Sequence, residues 1–300
     1  MTDSIYINPL TDFGFKYLFG DEGNKDFLIS FLNSLFPEEG PIVKVTYLNK
    51  EHIGDIKDNR ALIYDIHCTT STGKKFIVEM QNRYQTYFRD RALFYTSADI
   101  YKQGKKGKSW DYSLTPVYGV FLMNFDWREF ATEPLREDIC LMNIRTHKVF
   151  SDKLKMVFLK LPLLNKSPEE CVHTLERWLY ILKNLESMQT MPKTFAQDPI
   201  FNRLGQVARL GALSKSQRAA YDQSLKNYRD SYAIAATERA EGRAEGRAEG
   251  RAEGRAEGRT EGRAEGRTET ARNLIAMGMA DNFIEQATGL SKDEIAALRK

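Results

Sequence analysis

The stretch that decides the fold is Tyr64–Gln81, YDIHCTTSTGKKFIVEMQ. Its two arms are rich in β-branched and aromatic residues, and a Ser/Thr/Gly turn separates them, a pattern that predicts a β-hairpin. A three-residue loop at 71–73 would place a glycine at the left-handed position that such loops favour. Counting back along both arms from that loop places Asp65 directly opposite Glu79.

Asp65 and Glu79, the acid pair, form the main candidate site. Side chains directly opposite each other on a sheet face have Cβ atoms about 4.5–5.5 Å apart, and carboxylates that close repel unless a proton or a cation lies between them. Gln81 lies two residues beyond Glu79 and therefore points to the same face. These oxygen donors predict a site for a hard divalent cation. The alternative is a solvated pair on an exposed face, although opposed acids destabilise a sheet.

Other polar side chains border this face of the hairpin. His67 shares the face of Asp65, where it could be a metal ligand or a base, although such a histidine more often simply packs. Basic residues follow the hairpin and would contact phosphates if the face binds nucleic acid, the alternative being an ordinary soluble helix and loop. They are Arg83, Arg89, Lys102, Lys105, Lys106 and Lys108.

The elements predicted around the hairpin define the fold class. A helix over 24–36 and a short strand over 43–48 precede the hairpin, and an amphipathic helix over 83–103 follows it. Further strands are predicted at 116–125, 139–146 and 154–161. From 167 onward the pattern becomes helical. This order predicts an α+β (α/β-like) sheet domain followed by helices.

Composition narrows the class of protein. The chain has 300 residues, of which 42% are hydrophobic and 28% charged, as expected of a globular protein with a sizeable core. The net charge of +3 is too small to indicate a partner by itself. Cys68, Cys140 and Cys171 lie in apolar contexts without metal-type spacing, so we expect reduced core residues.

Several classes of function lack any supporting motif. No phosphate-binding glycine motif, nucleophile elbow, CxxC or HExxH occurs, which argues against a nucleotide cofactor, zinc or serine-hydrolase chemistry. The first residues, MTDSIYINPLTDFGF, lack the basic-then-apolar pattern of a signal peptide, and no run of 18 apolar residues occurs. We therefore expect a cytoplasmic protein with no membrane partner.

Residues 240–267 are seven consecutive tetrads of [Ala/Thr]-Glu-Gly-Arg. On a helix, each charged side chain would have a like charge four residues away. Each interior glycine would also cost about 1 kcal/mol relative to alanine. The pattern therefore favours a flexible charged linker, with a helix formed on self-association as the alternative.

The last segment, 271–300, is predicted to form three short helices. Their outline is that of a helix-turn-helix. The last helix, however, is acidic at the end that would enter a DNA groove, where basic or amide side chains are expected. The sequence therefore favours a small association module over DNA reading.

Together these motifs resemble the PD-(D/E)xK nuclease core. Within that group they resemble the Rpn-type, transposase-associated proteins known as recombination-promoting nucleases. The resemblance covers nearly the whole chain, and it is the order of the motifs that is specific. The motifs are NPLTDFGFKYLFG at 8–20, the hairpin with the helix after it, VFLKLP at 157–162, SKSQRAAYDQSLKNYRD at 214–230, and the Glu-Gly repeats ending in ATGLSKDEIAAL at 287–298.

The resemblance implies a four-stranded αβββαβ core and a Mg²⁺-dependent DNA endonuclease, with Ca²⁺ or Mn²⁺ as alternative ions. Asp65 and Glu79 match the catalytic, metal-binding acids, and the backbone carbonyl of Met80 would be a further ligand. Gln81 stands where the wider superfamily has lysine, a replacement that this branch tolerates, and would hold the attacking water. Asp12 falls where such cores often bring an acidic residue from the first helix.

The residue patterns and the resemblance together predict four segments and one function. The segments are a nuclease-like core at 1–165, a helical extension at 166–237, a repeat linker at 238–270 and an association module at 271–300. The expected function is DNA cleavage linked to recombination, mobile elements or phage defence, by a homo-oligomer formed through the C-terminal region. Two alternatives are a non-catalytic DNA-binding, self-associating protein with a degenerate core, and an RNA-directed nuclease.

Overall fold

The structure is a computed structural model that describes residues 4–48, 64–105, 110–125 and 134–299. The chain forms two compact units, Met1–Tyr228 and Arg229–Lys300. The predicted hairpin and the sequence-predicted site residues that the structure describes belong to the first unit.

Within the described ranges, a six-stranded mixed sheet forms the centre of the first unit. The strands are β1 (Val45–Tyr47), β2 (Ile66–Thr70), β3 (Lys75–Gln81), β4 (Val117–Met123), β5 (Arg136–Met142) and β6 (Val149–Lys160). Their order across the sheet is β1-β2-β3-β4-β6-β5. The pairs β3–β4 and β4–β6 are parallel, and the other pairs are antiparallel.

Helices cover both faces of the sheet. They include α1 (Asp12–Phe19), α2 (Lys25–Leu35) and α3 (Phe88–Tyr101). Successive strand residues point to opposite faces, so neighbouring residues of β3 pack into different hydrophobic clusters. Phe76 and Val78 join the main core, together with apolar residues of α1 and α2. Ile77, on the other face, packs with Tyr95 and Ala98 of α3.

The predicted αβββαβ core and the α+β class are confirmed. The chain runs through α2, β1, β2, β3, α3 and β4 in that order, and β6 and β5 then widen the sheet. The helix α3 connects two neighbouring parallel strands, as such a crossover requires. It begins at Phe88 and not at 83, because Gln81 to Tyr87 form the end of β3 and a turn.

The predicted helical extension contributes to the same core as the sheet. It consists of α4 (Thr174–Asn184), α5 (Lys193–Ala196), α6 (Pro199–Val207) and the beginning of α7 (Lys215–Ala276). Trp178 is fully buried, and its ring lies 5.4 Å from that of Phe19 and 4.9 Å from that of Phe201. The hydroxyl of Tyr221, on α7, accepts the backbone N–H of Asn8. The extension therefore holds the N-terminal segment in place.

The repeat is helical, which corrects the preference for a flexible linker. The helix α7 runs through all of residues 240–267. Starting a helix is the costly step, while each added residue contributes a hydrogen bond. Both ends of α7 are fixed independently. Ser214 and Gln217 exchange capping hydrogen bonds at its start, and Ala271 is buried near its end. Propagation between two fixed ends can offset the glycine and like-charge costs that the sequence analysis weighed.

The second unit ends in α8 (Asp281–Thr288) and α9 (Lys292–Leu298). Ala271, Ile284 and Ile295 are its buried core. A capping box begins α9, since the Ser291 side chain accepts the backbone N–H of Glu294 and the Glu294 carboxylate accepts the backbone N–H of Ser291.

No helix within the described ranges is long and apolar enough to cross a membrane. The three cysteines are free, and two of them, Cys68 and Cys171, are buried as predicted. Cys140, on the edge strand β5, is partly exposed, because among the described strands β5 has a neighbour on one side only.

Candidate active site

The register of the hairpin places the acid pair as predicted. Strands β2 and β3 are antiparallel, with Ile66 opposite Val78, His67 opposite Ile77 and Cys68 opposite Phe76. The same register continued by one residue puts Asp65 opposite Glu79. Gly73 has φ +83°, the left-handed conformation expected for the last residue of the loop.

Two backbone hydrogen bonds fix the orientation of the carboxylates. The N–H of Asp65 donates to Oε1 of Glu79 over 3.0 Å, and the N–H of Met80 donates to Oδ2 of Asp65 over 2.9 Å. Each carboxylate therefore uses one oxygen to bind the backbone of the opposite arm. The pair is held together by the hairpin itself.

Two basic side chains that the sequence analysis did not predict face the remaining oxygens. Nζ of Lys16, on α1, lies 3.9 Å from Oδ1 of Asp65 and also pairs with Asp12. Nη2 of Arg91, on α3, lies 3.2 Å from Oε2 of Glu79. One signal could have suggested Lys16, because the acid expected at Asp12 lies four residues before it and shares its helix face.

Burial dominates the electrostatics of the acid pair. Burial, followed by the charge of Asp65, raises the pKa of Glu79 to about 8. Burial also raises the pKa of Asp65, against the N–H of Met80 and the Lys16 ammonium, which lower it. Even with two cations nearby, the pair carries negative charge at a cost, and an additional positive charge would stabilise it.

The donor set fits a magnesium-type ion. Mg²⁺ in proteins is usually held by one or two carboxylates and keeps several waters. Asp65 and Glu79 supply the carboxylates. In an extended strand the N–H and C=O of a residue point to the same edge, so the carbonyl of Met80 lies on the edge where its N–H meets Asp65. No larger group of His, Cys, Asp or Glu suited to a metal occurs in the described part of the chain.

Asp12 lies beside this site and not in it. It is close enough for its charge to raise the pKa of Asp65. Its side chain is 66% exposed, however, and pairs with Lys16. The prediction that Asp12 binds the metal therefore stays a prediction.

Gln81 lies on the Glu79 face at the end of β3 and is buried. Its side-chain N–H donates to the backbone carbonyl of Arg83 over 2.8 Å. The amide is thus held on the face of the acid pair, where the sequence analysis placed it.

His67 faces α3 and is engaged there. Its Nε2 lies 2.5 Å from Oδ2 of Asp99, a fully buried residue, and its ring packs edge-on against Tyr64. Burial would raise the pKa of Asp99, but the hydrogen bond and charge of His67 lower it below its usual range. This contact favours the packing interpretation of His67.

The predicted nucleic-acid contacts are spread along α3 and its flanks. Arg89 and Arg91 are two residues apart and so point about 200° apart around the helix. Arg89 lines a cavity of about 450 Å³ beside Glu137 and Phe158, away from the hairpin side of α3. Lys102 lies 3.8 Å from Asp99, and Lys105 is exposed.

Three of the predicted nucleic-acid contacts remain, namely Arg83, Lys106 and Lys108. Arg83 is half-buried at the end of β3, where its carbonyl holds Gln81. Lys106 and Lys108 lie outside the described residues. The role of the whole basic set stays a prediction.

Comparison with known proteins gives two family matches. A family model described as PD-(D/E)XK nuclease family transposase matches residues 9–238, which include the hairpin, α1 and α3. A second, described as Rpn/YhgA-like nuclease family, C-terminal HTH domain, matches residues 265–300. No curated protein and no solved structure matches the chain.

Proposed function

We propose that this chain, which belongs to the PD-(D/E)XK nuclease family transposases, is a metal-dependent endonuclease that cleaves phosphodiester bonds in DNA. The observation that carries the proposal is the acid pair. Asp65 and Glu79 lie opposite each other, Glu79 buried and Asp65 partly buried, and each is oriented by a backbone N–H of the other arm. A hairpin has no structural need for such a pair, which destabilises it.

The resemblance to Rpn-type nucleases stated from the sequence is confirmed by the two matches. The second match also changes the interpretation of the C-terminus. It identifies 265–300 as a helix-turn-helix domain, the alternative that the sequence analysis had placed second. The acidic start of α9 argued against groove entry, but a helix-turn-helix also contacts DNA through its other helix and through backbone phosphates. Such a domain supports DNA as the partner.

The residues of the hairpin and of α3 would have different roles in DNA cleavage. Asp65, Glu79 and the Met80 carbonyl would hold Mg²⁺, which, when bound, supplies an activated water and offsets charge on the scissile phosphate. Gln81, fixed by its bond to the Arg83 carbonyl, would orient the attacking water through its amide. The predicted basic residues of α3 and its flanks would contact the DNA backbone.

The proposal also includes a biological role. The description of the family as transposases supports a link to recombination or mobile elements. Phage defence, a homo-oligomer formed through the C-terminal region and a cytoplasmic location stay predictions.

The direct test is cleavage by the purified full-length protein. We expect nicking of a supercoiled plasmid with Mg²⁺ or Mn²⁺ and none with EDTA, because the metal held by the acid pair would supply the activated water. The measurement is the time course of nicked and linear product on a gel, beside an RNA of the same sequence. Binding of DNA without any metal-dependent product would support the degenerate-core alternative, and cleavage of the RNA alone would support the RNA-directed one.

Metal affinity is expected to rise with pH. The pKa of Glu79 is raised from 4.5 to about 8, so near neutral pH a metal must displace its proton. Affinity for Mg²⁺ should increase about tenfold per pH unit up to about pH 8 and then level off. Calorimetric titration between pH 6.5 and 9, in buffers of different ionisation enthalpy, measures both the affinity and the protons released. A flat affinity over this range would contradict the raised pKa.

The same shift predicts a trend in stability without metal. Between pH 4.5 and about 8 the folded protein binds more protons at Glu79 than the unfolded chain does. The Glu79 contribution to the free energy of unfolding therefore falls as pH rises through that range.

A further inference from the structure

In each residue of the acid pair, one carboxylate oxygen accepts a backbone N–H and the other oxygen faces a basic side chain. Asp65 accepts the Met80 N–H with Oδ2, and its Oδ1 faces Lys16. Glu79 accepts the Asp65 N–H with Oε1, and its Oε2 faces Arg91. The backbone therefore occupies one oxygen of each acid, and the oxygens left to bind a metal are those that face the two cations.

The charge of the acid pair can be balanced in two alternative ways, by the two cations or by one divalent metal ion. When both carboxylates are ionised they carry two negative charges, which Lys16 and Arg91 together match and which a single divalent ion also matches. A metal bound to Oδ1 of Asp65 and Oε2 of Glu79 would occupy the positions that the cations now face. Like charges that close repel strongly at a site of low dielectric, so the cations would have to give way.

Each cation has a second partner to which it can turn. Lys16 pairs with Asp12, whose side chain is 66% exposed. Nη1 of Arg91 donates to Oε1 of Gln85 over 3.1 Å, and its guanidinium lies 5.1 Å from the centre of the Tyr95 ring. Both side chains are about one-third exposed, at 30% and 35%. They can therefore leave the acids without losing all their contacts.

The position of the two cations points to a phosphate. They come from helices on opposite faces of the sheet and meet at the end of β3 beside the acid pair. A lysine offers a point charge and an arginine a planar set of donors, and both bind phosphate oxygens. Once displaced, they would place two positive charges next to the metal, where a DNA phosphate must lie to be cleaved.

We propose that Lys16 and Arg91 are the counter-cations of the acid pair in the metal-free protein and become phosphate-binding residues once a divalent metal has replaced them. This inference rests on the proposed function and adds two residues to the site. A purely structural role for the two ion pairs would affect stability alone.

The test combines two measurements, Mn²⁺ affinity and the rate of DNA cleavage. The substitutions should raise the first and lower the second. Lys16→Met and Arg91→Met keep an apolar stem and remove the charge. Without DNA, calorimetry should show that each variant binds Mn²⁺ more tightly, roughly two- to tenfold, since an exposed or partly buried ion pair no longer competes. At saturating Mn²⁺, each should cleave DNA at least about tenfold more slowly. Unchanged or weaker Mn²⁺ binding in both variants would overturn the counter-cation role.

Salt dependence tests the phosphate contact without turnover. With Ca²⁺ bound, the slope of log affinity for DNA against log salt should fall by about 0.9 in each variant, the amount expected for one lost phosphate contact. Without metal the slope should match that of the wild type, because the cations then face the acids. A slope unchanged in the presence of Ca²⁺ would overturn the phosphate role.

Controls separate this inference from misfolding and from the proposed function. Lys166→Met removes a lysine that pairs with Glu176, outside the acid pair, and should leave every measurement unchanged. Lys16→Arg and Arg91→Lys keep the charge and should restore wild-type Mn²⁺ affinity, so they test the inference even if a methionine variant fails to fold. If the wild type binds Mn²⁺ but cleaves nothing, the proposed function fails, while tighter Mn²⁺ binding by the variants still supports the counter-cation role.

Discussion

Asp65→Asn and Glu79→Gln are each expected to lower metal-dependent DNA cleavage by about 10³-fold or more, because each removes a charged ligand from the proposed metal site. The amides keep the geometry of the hairpin. The Oδ1 of an asparagine can still accept the N–H of Met80, and the Oε1 of a glutamine can still accept the N–H of residue 65. Initial rates of plasmid nicking at saturating Mg²⁺ measure the effect.

The thermal stability of each variant shows whether a loss of cleavage comes from the missing ligand or from misfolding. Because burial and mutual repulsion raise the pKa of both acids, a neutral side chain should not lower the midpoint of thermal unfolding at pH 8. Asp222→Asn serves as the matched control, since it removes an exposed carboxylate that pairs with Arg218 on α7. Cleavage at the wild-type rate by both acid-pair variants would refute the assignment of the site.

Gly119→Ala is expected to destabilise the protein by about 3 kcal/mol, as overpacking of a tight core does. Gly119 lies on β4 beneath α3. A Cβ atom there would lie 2.4 Å from Cγ2 of Thr96 and 2.7 Å from Cε2 of Phe121. Thr96 is fully buried and donates its hydroxyl to the carbonyl of Ala92, so the helix must move to make room. Urea unfolding measures the loss.

The same change should weaken the site, since α3 carries Arg91 and Asp99, which contact the hairpin. Thr96→Ser removes the methyl group that the new Cβ would strike and should restore part of the stability in the double variant. Gly211→Ala is the control, because a Cβ at that position meets nothing within 4 Å. Equal stability of Gly119→Ala and the wild type would mean that α3 does not pack as closely as the structure has it.

The hairpin was predictable because its geometry is local. A loop of defined length with a glycine at its left-handed position fixes the register, and the register fixes which side chains oppose each other. The predicted opposition of Asp65 and Glu79 followed from counting residues alone. The helix-strand order gave the αβββαβ core in the same way.

The repeat and the C-terminal segment show where local rules mislead. Summed propensities favoured a linker over 240–267, but a helix fixed at both ends extends through it. The acidic start of α9 favoured an association module, whereas the family match identifies a helix-turn-helix domain. For the repeat, the deciding factor was the fixed ends around the segment, whereas the C-terminal segment was identified by a family match to its own residues.

By itself, then, the sequence determined the hairpin, the opposed acids, the amide at Gln81 and the family. Only the tertiary structure decided what surrounds them. Lys16 and Arg91 reach the acid pair from helices on opposite faces of the sheet, and His67 is taken up by Asp99. Such contacts depend on how helices pack on a sheet, which the close approach of Thr96 to Gly119 helps to set. Side-chain volumes distributed over the whole core determine that packing, so no local pattern could have predicted it.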